Sequence, residues 1–210
     1  MIRLALLDGA LAADASGLAA QAWFCRDDGS AAARRHAGAL SATIRHFSGA
    51  VRVVNAVVFP GRLSTTVEAL ADALDWLREE PPQIVHCSFG LARPSAEIAL
   101  RIRILQEAGS LVVASAPARG GPVFPAALAD VVSVQGDARC GPGELSRLDL
   151  PQAAWGACPV ALGHPQVRGA SAAAAHLSGL LAARWSGSAA EALDALSPAV
   201  RYLGRERCGA

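Results

Sequence analysis

Residues 84–115 read IVHCSFGLARPSAEIALRIRILQEAGSLVVAS, and this stretch decides the fold class. Ile84 to Cys87 and Leu111 to Ser115 are short runs without polar alternation, as expected of strands buried on both faces in a parallel sheet. Between them, Pro94 to Ala108 carries a helical pattern that stops at Gly109. Strand, crossover helix and parallel strand form a right-handed βαβ unit.

The same alternation extends outward. Ile2 to Leu7, Val51 to Val58 and Val131 to Val134 read as further strands. Thr65 to Glu80 reads as a helix with Val67, Leu70, Leu74 and Leu77 on one face; Thr65 and Glu68 would form its capping box, and Pro81-Pro82 its stop. The Ala-rich run from Ala172 to Trp185 reads as a helix able to pack closely on a sheet. Segment 136–168, rich in Gly and Pro, reads as loop with one short strand near Pro159 to Leu162. The expected architecture is α/β: a doubly wound, mostly parallel central sheet flanked by helices, in one domain over residues 1–210. The apolar start of the chain is interrupted by Asp8, so it reads as a first strand rather than a signal peptide.

Composition narrows the chemistry. All 19 basic residues are arginine, which removes mechanisms that require a lysine on phosphates or in a Schiff base. A formal net charge of +1 argues against nucleic acid or a polybasic membrane module as partner. Cys25, Cys87, Cys140, Cys158 and Cys208 are odd in number and scattered, so free thiols in a reducing, cytoplasmic compartment are expected. The five histidines show no metal-ligand spacing and no G-x-G-x-x-G follows a strand; neither a metal nor another cofactor is expected.

In such a sheet, chemistry gathers at the carboxyl ends of the strands. Asp8 ends the first strand, where an acid can be functional or simply cap a neighbouring element. His36 lies at what reads as the start of a small-residue helix, with Leu40, Ile44 and Phe47 facing inward. Ser171 begins the Ala-rich helix, where free N–H groups and the helix dipole favour an oxyanion; a serine there is also a common N-cap. The order aspartate, histidine, serine is one of the known chain orders of the catalytic triad. His86-Cys87-Ser88-Phe89-Gly90 is a weaker candidate, a nucleophile elbow without its first glycine.

The flanking residues resemble the subtilisin-like serine proteases. Ala5-Leu6-Leu7-Asp8-Gly9 resembles that family's strand ending in aspartate, and His36 to Ile44 resembles its H-G-T-H-V-A-G-T-I helix. Ile84 to Gly90 resembles the strand ending in S-L-G, and Phe124 to Val134 resembles Y-P-A-x-x-x-x-V-I-x-V. Gly169-Ala170-Ser171-Ala172-Ala173-Ala174-Ala175-His176 resembles G-T-S-M-A-x-P-H. These blocks, in order, span the chain. The resemblance implies catalytic roles for Asp8, His36 and Ser171, pairing of an extended substrate with Ser88, Phe89 and Gly90, and a Gly169 that leaves room for the substrate backbone.

Two departures matter. Ala118 stands where the family has its oxyanion asparagine, and Asn55 is the only asparagine in the chain, so Arg119 or a backbone N–H near it would have to substitute. The sequence also opens on the first strand, and no propeptide is expected. Within the family, size and architecture most resemble the leader-removing maturation proteases of the quinohemoprotein amine dehydrogenase system. That resemblance implies a protein substrate with a leader segment and a complex with other maturation enzymes. The alternative is a subtilisin-like protein that grips an extended peptide but turns it over slowly or not at all.

Overall fold

The computed structural model describes residues 1–205. Its strands are β1 (Arg3–Asp8), β2 (Leu18–Trp23), β3 (Arg52–Val57), β4 (Ile84–Cys87), β5 (Leu111–Ser115), β6 (Val132–Gly136), β7 (Leu145–Arg147), β8 (Trp155–Ala157), β9 (Val160–Ala161), β10 (His164–Arg168) and β11 (Val200–Leu203). The α-helices are α1 (Ala31–Phe47), α2 (Val67–Glu79), α3 (Ala96–Glu107), α4 (Ala170–Arg184) and α5 (Ala189–Asp194). Nine strands form one sheet in the order β11-β7-β8-β6-β5-β4-β1-β3-β2. Its pairings are parallel except that of β7 with β8, and β9 pairs with β10 in a separate antiparallel ribbon.

The period-2 geometry of a strand divides β1 between two cores. Leu4 and Leu6 pack with Leu40 and Ile44 of α1 and Leu177 and Leu181 of α4. Ala5 and Leu7 pack on the opposite face with Leu70 and Leu74 of α2 and Ile98 and Ile102 of α3. Fully burying each leucine contributes roughly 1.5–3 kcal/mol, so these two clusters fix the helices to the sheet. The doubly wound, mostly parallel architecture is therefore present.

Several local expectations change. Helix α2 is capped by Thr66, whose Oγ1 accepts from Ala69 N–H at 3.1 Å, rather than by a Thr65–Glu68 box. Helix α1 starts after Ser30, which places His36 in its second turn and not at its start. Segment 136–168 contains β7, β8, β9 and β10 rather than one short strand. Strand β2 forms an edge in a stretch not read as a strand. Among the described residues, no helix is long and apolar enough to cross a membrane.

Candidate active site

Parallel register sets the first contacts. Asp8 pairs with Val57 of β3, while Leu7 pairs with Cys87 of β4, so Ser88 follows beside Asp8. Asp8 is fully buried, and a carboxylate removed from water requires donors. It has three: the Gly9 N–H at 2.6 Å, the Ser88 hydroxyl, and Nδ1–H of His36, which lies 2.8 Å from Oδ2 and 3.1 Å from Oδ1. The Ser88 hydroxyl also lies 2.8 Å from the Leu7 carbonyl.

Helix α1 reaches this point because residue 9 is glycine. A Cβ there would fall 2.4 Å from the Ala33 carbonyl carbon, so any side chain would push the helix away from β1. The loop after Asp8 is also tied from the other side. Asn55 Nδ2 of β3 donates to Gly9 O at 3.0 Å and to Gln21 Oε1 at 2.7 Å, while Gln21 Oε1 accepts from Leu11 N–H at 2.8 Å. The single asparagine thus braces the aspartate loop.

Burial draws the His36 pKa down, but its hydrogen bond to Asp8 and the Asp8 charge outweigh burial and leave it above the ordinary 6.5. Its side chain is 13% exposed, so the ring remains open to the cleft while Nδ1 is engaged. Ser171 is the second residue of α4 and does not cap it. The cap position belongs to Gly169, at φ 113°, a backbone conformation that side chains resist. The Ser171 hydroxyl makes no hydrogen bond among the described residues and stays free for other work.

His36, Ser88, Phe89, Gly90 and Ser171 line one cleft of about 350 Å³. Gly169 lies at the base of α4, with its N–H donating to Pro159 O at 2.7 Å. Ala118 and Arg119 do not line this cleft; they border a separate polar pocket of about 650 Å³.

The other candidate nucleophiles are engaged in structure. Burial pushes the Cys87 thiol up to about 12, and the Ser88 hydroxyl is committed to Asp8 and Leu7. His176 donates from Nε2 to Val160 O at 2.8 Å. Cys25, Cys87, Cys140 and Cys158 are free thiols; Cys208 lies outside the described residues. No group of three or more His, Cys, Asp or Glu side chains among the described residues is placed to hold a metal ion.

Two features of the site escaped sequence reasoning. The Ser88–Asp8 bond follows from the register of β1 against β4, a signal available only once both strand ends are aligned. Phe59, Leu63 and Leu91 complete the apolar lining of the cleft from loops that no periodicity marks.

No protein-family model and no curated protein sequence matches the chain. Solved structures do. The prenylagaramide maturation protease PagA aligns with TM-score 0.62 and 18% identity over 87% of this chain and 74% of its own. The self-cleaved protease domain of PatA aligns with TM-score 0.67 and 18% identity over 93% and 86%. Sphericase aligns with TM-score 0.65 and 16% identity over 92% and 81%. At such identities the likeness is one of fold, and the fold is subtilisin-like.

Proposed function

We propose that the chain is a subtilisin-like serine endopeptidase that cleaves an extended or leader segment of a dedicated protein substrate. The observation that carries this reading is the Asp8–His36 hydrogen bond at a buried strand end, facing the same cleft as an uncommitted serine hydroxyl. Ser171 Oγ attacks the scissile carbonyl carbon, and its proton passes to Nε2 of His36. The Nδ1–H bond to Asp8 fixes the tautomer with the lone pair on Nε2 and stabilises the imidazolium that forms. His36 then returns the proton to the leaving amine, and water repeats the sequence on the acyl-enzyme. The raised pKa of His36 makes it a better base.

The oxyanion would meet the Ser171 N–H, which lies in the first turn of α4, where backbone donors lack intrahelical acceptors. Ala118 supplies no side-chain donor, and loss of one such donor costs about 10²–10³ in turnover. This favours one second reading, a peptide-binding protein of low turnover. The backbone groups of Phe89 and Gly90 make no hydrogen bonds among the described residues, so they offer an edge to which an extended peptide can add.

Work on one dedicated substrate suits a chain whose fold neighbours include a named maturation protease. The architecture supports the finer assignment, leader removal from the quinohemoprotein amine dehydrogenase small subunit alongside other maturation enzymes. The free cysteines suit a reducing, cytoplasmic setting. A fluorophosphonate probe tests the chemistry: labelling that is lost in Ser171→Ala supports the peptidase. Absence of labelling in protein that still binds extended peptides would establish the second reading instead.

A further inference from the structure

The pocket that takes in Ala118 and Arg119 has a composition unlike the cleft beside it. It lies over the carboxyl ends of β5 and β6, and its lining includes Gln135, Gly136, Asp137 and Arg205. Two cations face it without an anion of their own: neither Arg119 nor Arg205 makes an ion pair or hydrogen bond among the described residues. The one acid in its wall among the described residues is already matched. Asp137 accepts from the Arg139 guanidinium at 2.8 Å and from the Ser146 hydroxyl at 2.6 Å. The described lining of the pocket therefore has an excess of positive charge. It also holds an idle acceptor, Oε1 of Gln135, buried with no partner.

Its position links it to the nucleophile. In the sheet, β5 separates β4 from β6, so the cleft over Ser88 to Leu91 and this polar pocket flank the β5 end on opposite sides. A Cβ on Gly136 would stand 3.8 Å from the Gly169 carbonyl carbon, two residues before Ser171. A peptide lying across Ser171, with one arm along Ser88 to Gly90, would bring its other arm to this pocket.

We infer that the pocket selects an aspartate or glutamate of the substrate on the β6 side of the scissile bond, with Arg119 and Arg205 as specificity-determining residues. The inference rests on the peptidase reading of Ser171. A guanidinium presents paired N–H donors that match a carboxylate, and two of them around one cavity discriminate against neutral isosteres. The backbone N–H of the same substrate residue provides the donor that Gln135 Oε1 lacks.

The test uses peptide libraries matched in every respect except for Glu or Gln at each position around the cleavage site. Wild type should cleave the Glu member with kcat/KM about tenfold higher, the size of a charge-assisted pairing. In Arg119→Gln/Arg205→Gln the ratio should fall to near one, while fluorophosphonate labelling of Ser171 proceeds at the wild-type rate. Arg119→Glu/Arg205→Glu should shift preference toward basic side chains. Equal cleavage of the Glu and Gln members by labelled wild type, or a preference that survives the double variant, would overturn the assignment. If the wild type does not label, the peptidase reading fails. The pocket is then judged by fluorescence-polarisation binding of the same pairs: Glu-selective binding lost in the double variant upholds it, and equal binding refutes it.

Discussion

Two histidines in this molecule are set against serines in different ways, and the proposed function gives a chemical role to His36 alone. His86 of β4 is fully buried, with Nδ1 2.9 Å from the Ser178 hydroxyl of α4 and Nε2 buried without a partner. Burial there drives its pKa down to about 4, against the small opposing pull of Asp8. His36 shares a cleft with Ser171 but is bonded to a carboxylate, and its pKa moves the opposite way. A histidine–serine hydrogen bond alone is therefore a poor marker of a nucleophile. What distinguishes the two sites is the buried acid behind His36 and the open face in front of it.

The largest test of that contrast is Asp8→Asn. Replacing the acid with an amide keeps the shape but offers His36 the wrong tautomer, and kcat should fall by about 10⁴. A decrease of only a few-fold, measured on peptide substrate, would place His36 and His86 in the same structural class.

The next test is of stability against pH. Unfolded His86 takes up a proton near 6.5, whereas the folded residue resists until about 4, so the unfolded state binds more protons between those values. Stability is then lost as pH falls through that window, by on the order of 3 kcal/mol from this residue. The raised pKa of His36 acts in the opposite sense: its contribution is present below 6.5 and is lost as pH rises through its folded value. Urea unfolding at pH 7 and pH 4.5 should show a drop in wild type that is smaller in His86→Gln. Equal drops would remove His86 as the cause.

The smallest expected effect is that of Ser178→Ala. It leaves His86 Nδ1 without its partner and should lower stability by about 1–3 kcal/mol, the cost of an unmade buried hydrogen bond. The kcat on peptide should stay at the wild-type value; a large loss would assign this interior pair a part in turnover.

Much of the central sheet was legible because β1, β3, β4 and β5 are apolar runs buried on both faces, a pattern visible without partners. Strand β2, Leu-Ala-Ala-Gln-Ala-Trp, is a half-exposed edge whose alanines carry no β signal. Strands β7 and β8 have three residues each and exist through pairing with each other and with β11 and β6, which no window of periodicity can register. Asp8 and Ser171 were readable as element ends. The turn occupied by His36 was not, because Ala31 to Ala33 give no start signal and Ser30 sets the boundary. The polar pocket was illegible for a different reason: Arg119, Gln135 and Arg205 lie far apart in sequence and meet only through the order of β5 and β6.

The Ser88 hydroxyl, shared between the Leu7 carbonyl and the Asp8 carboxylate, has a geometric consequence. It ties the strand that would align a peptide to the strand that carries the acid, at adjacent rungs of one ladder. Under the proposed function, the spacing between a bound peptide and the Asp8–His36 pair would then be a property of the sheet lattice itself. Surface loops can shorten around such a centre without disturbing its alignment.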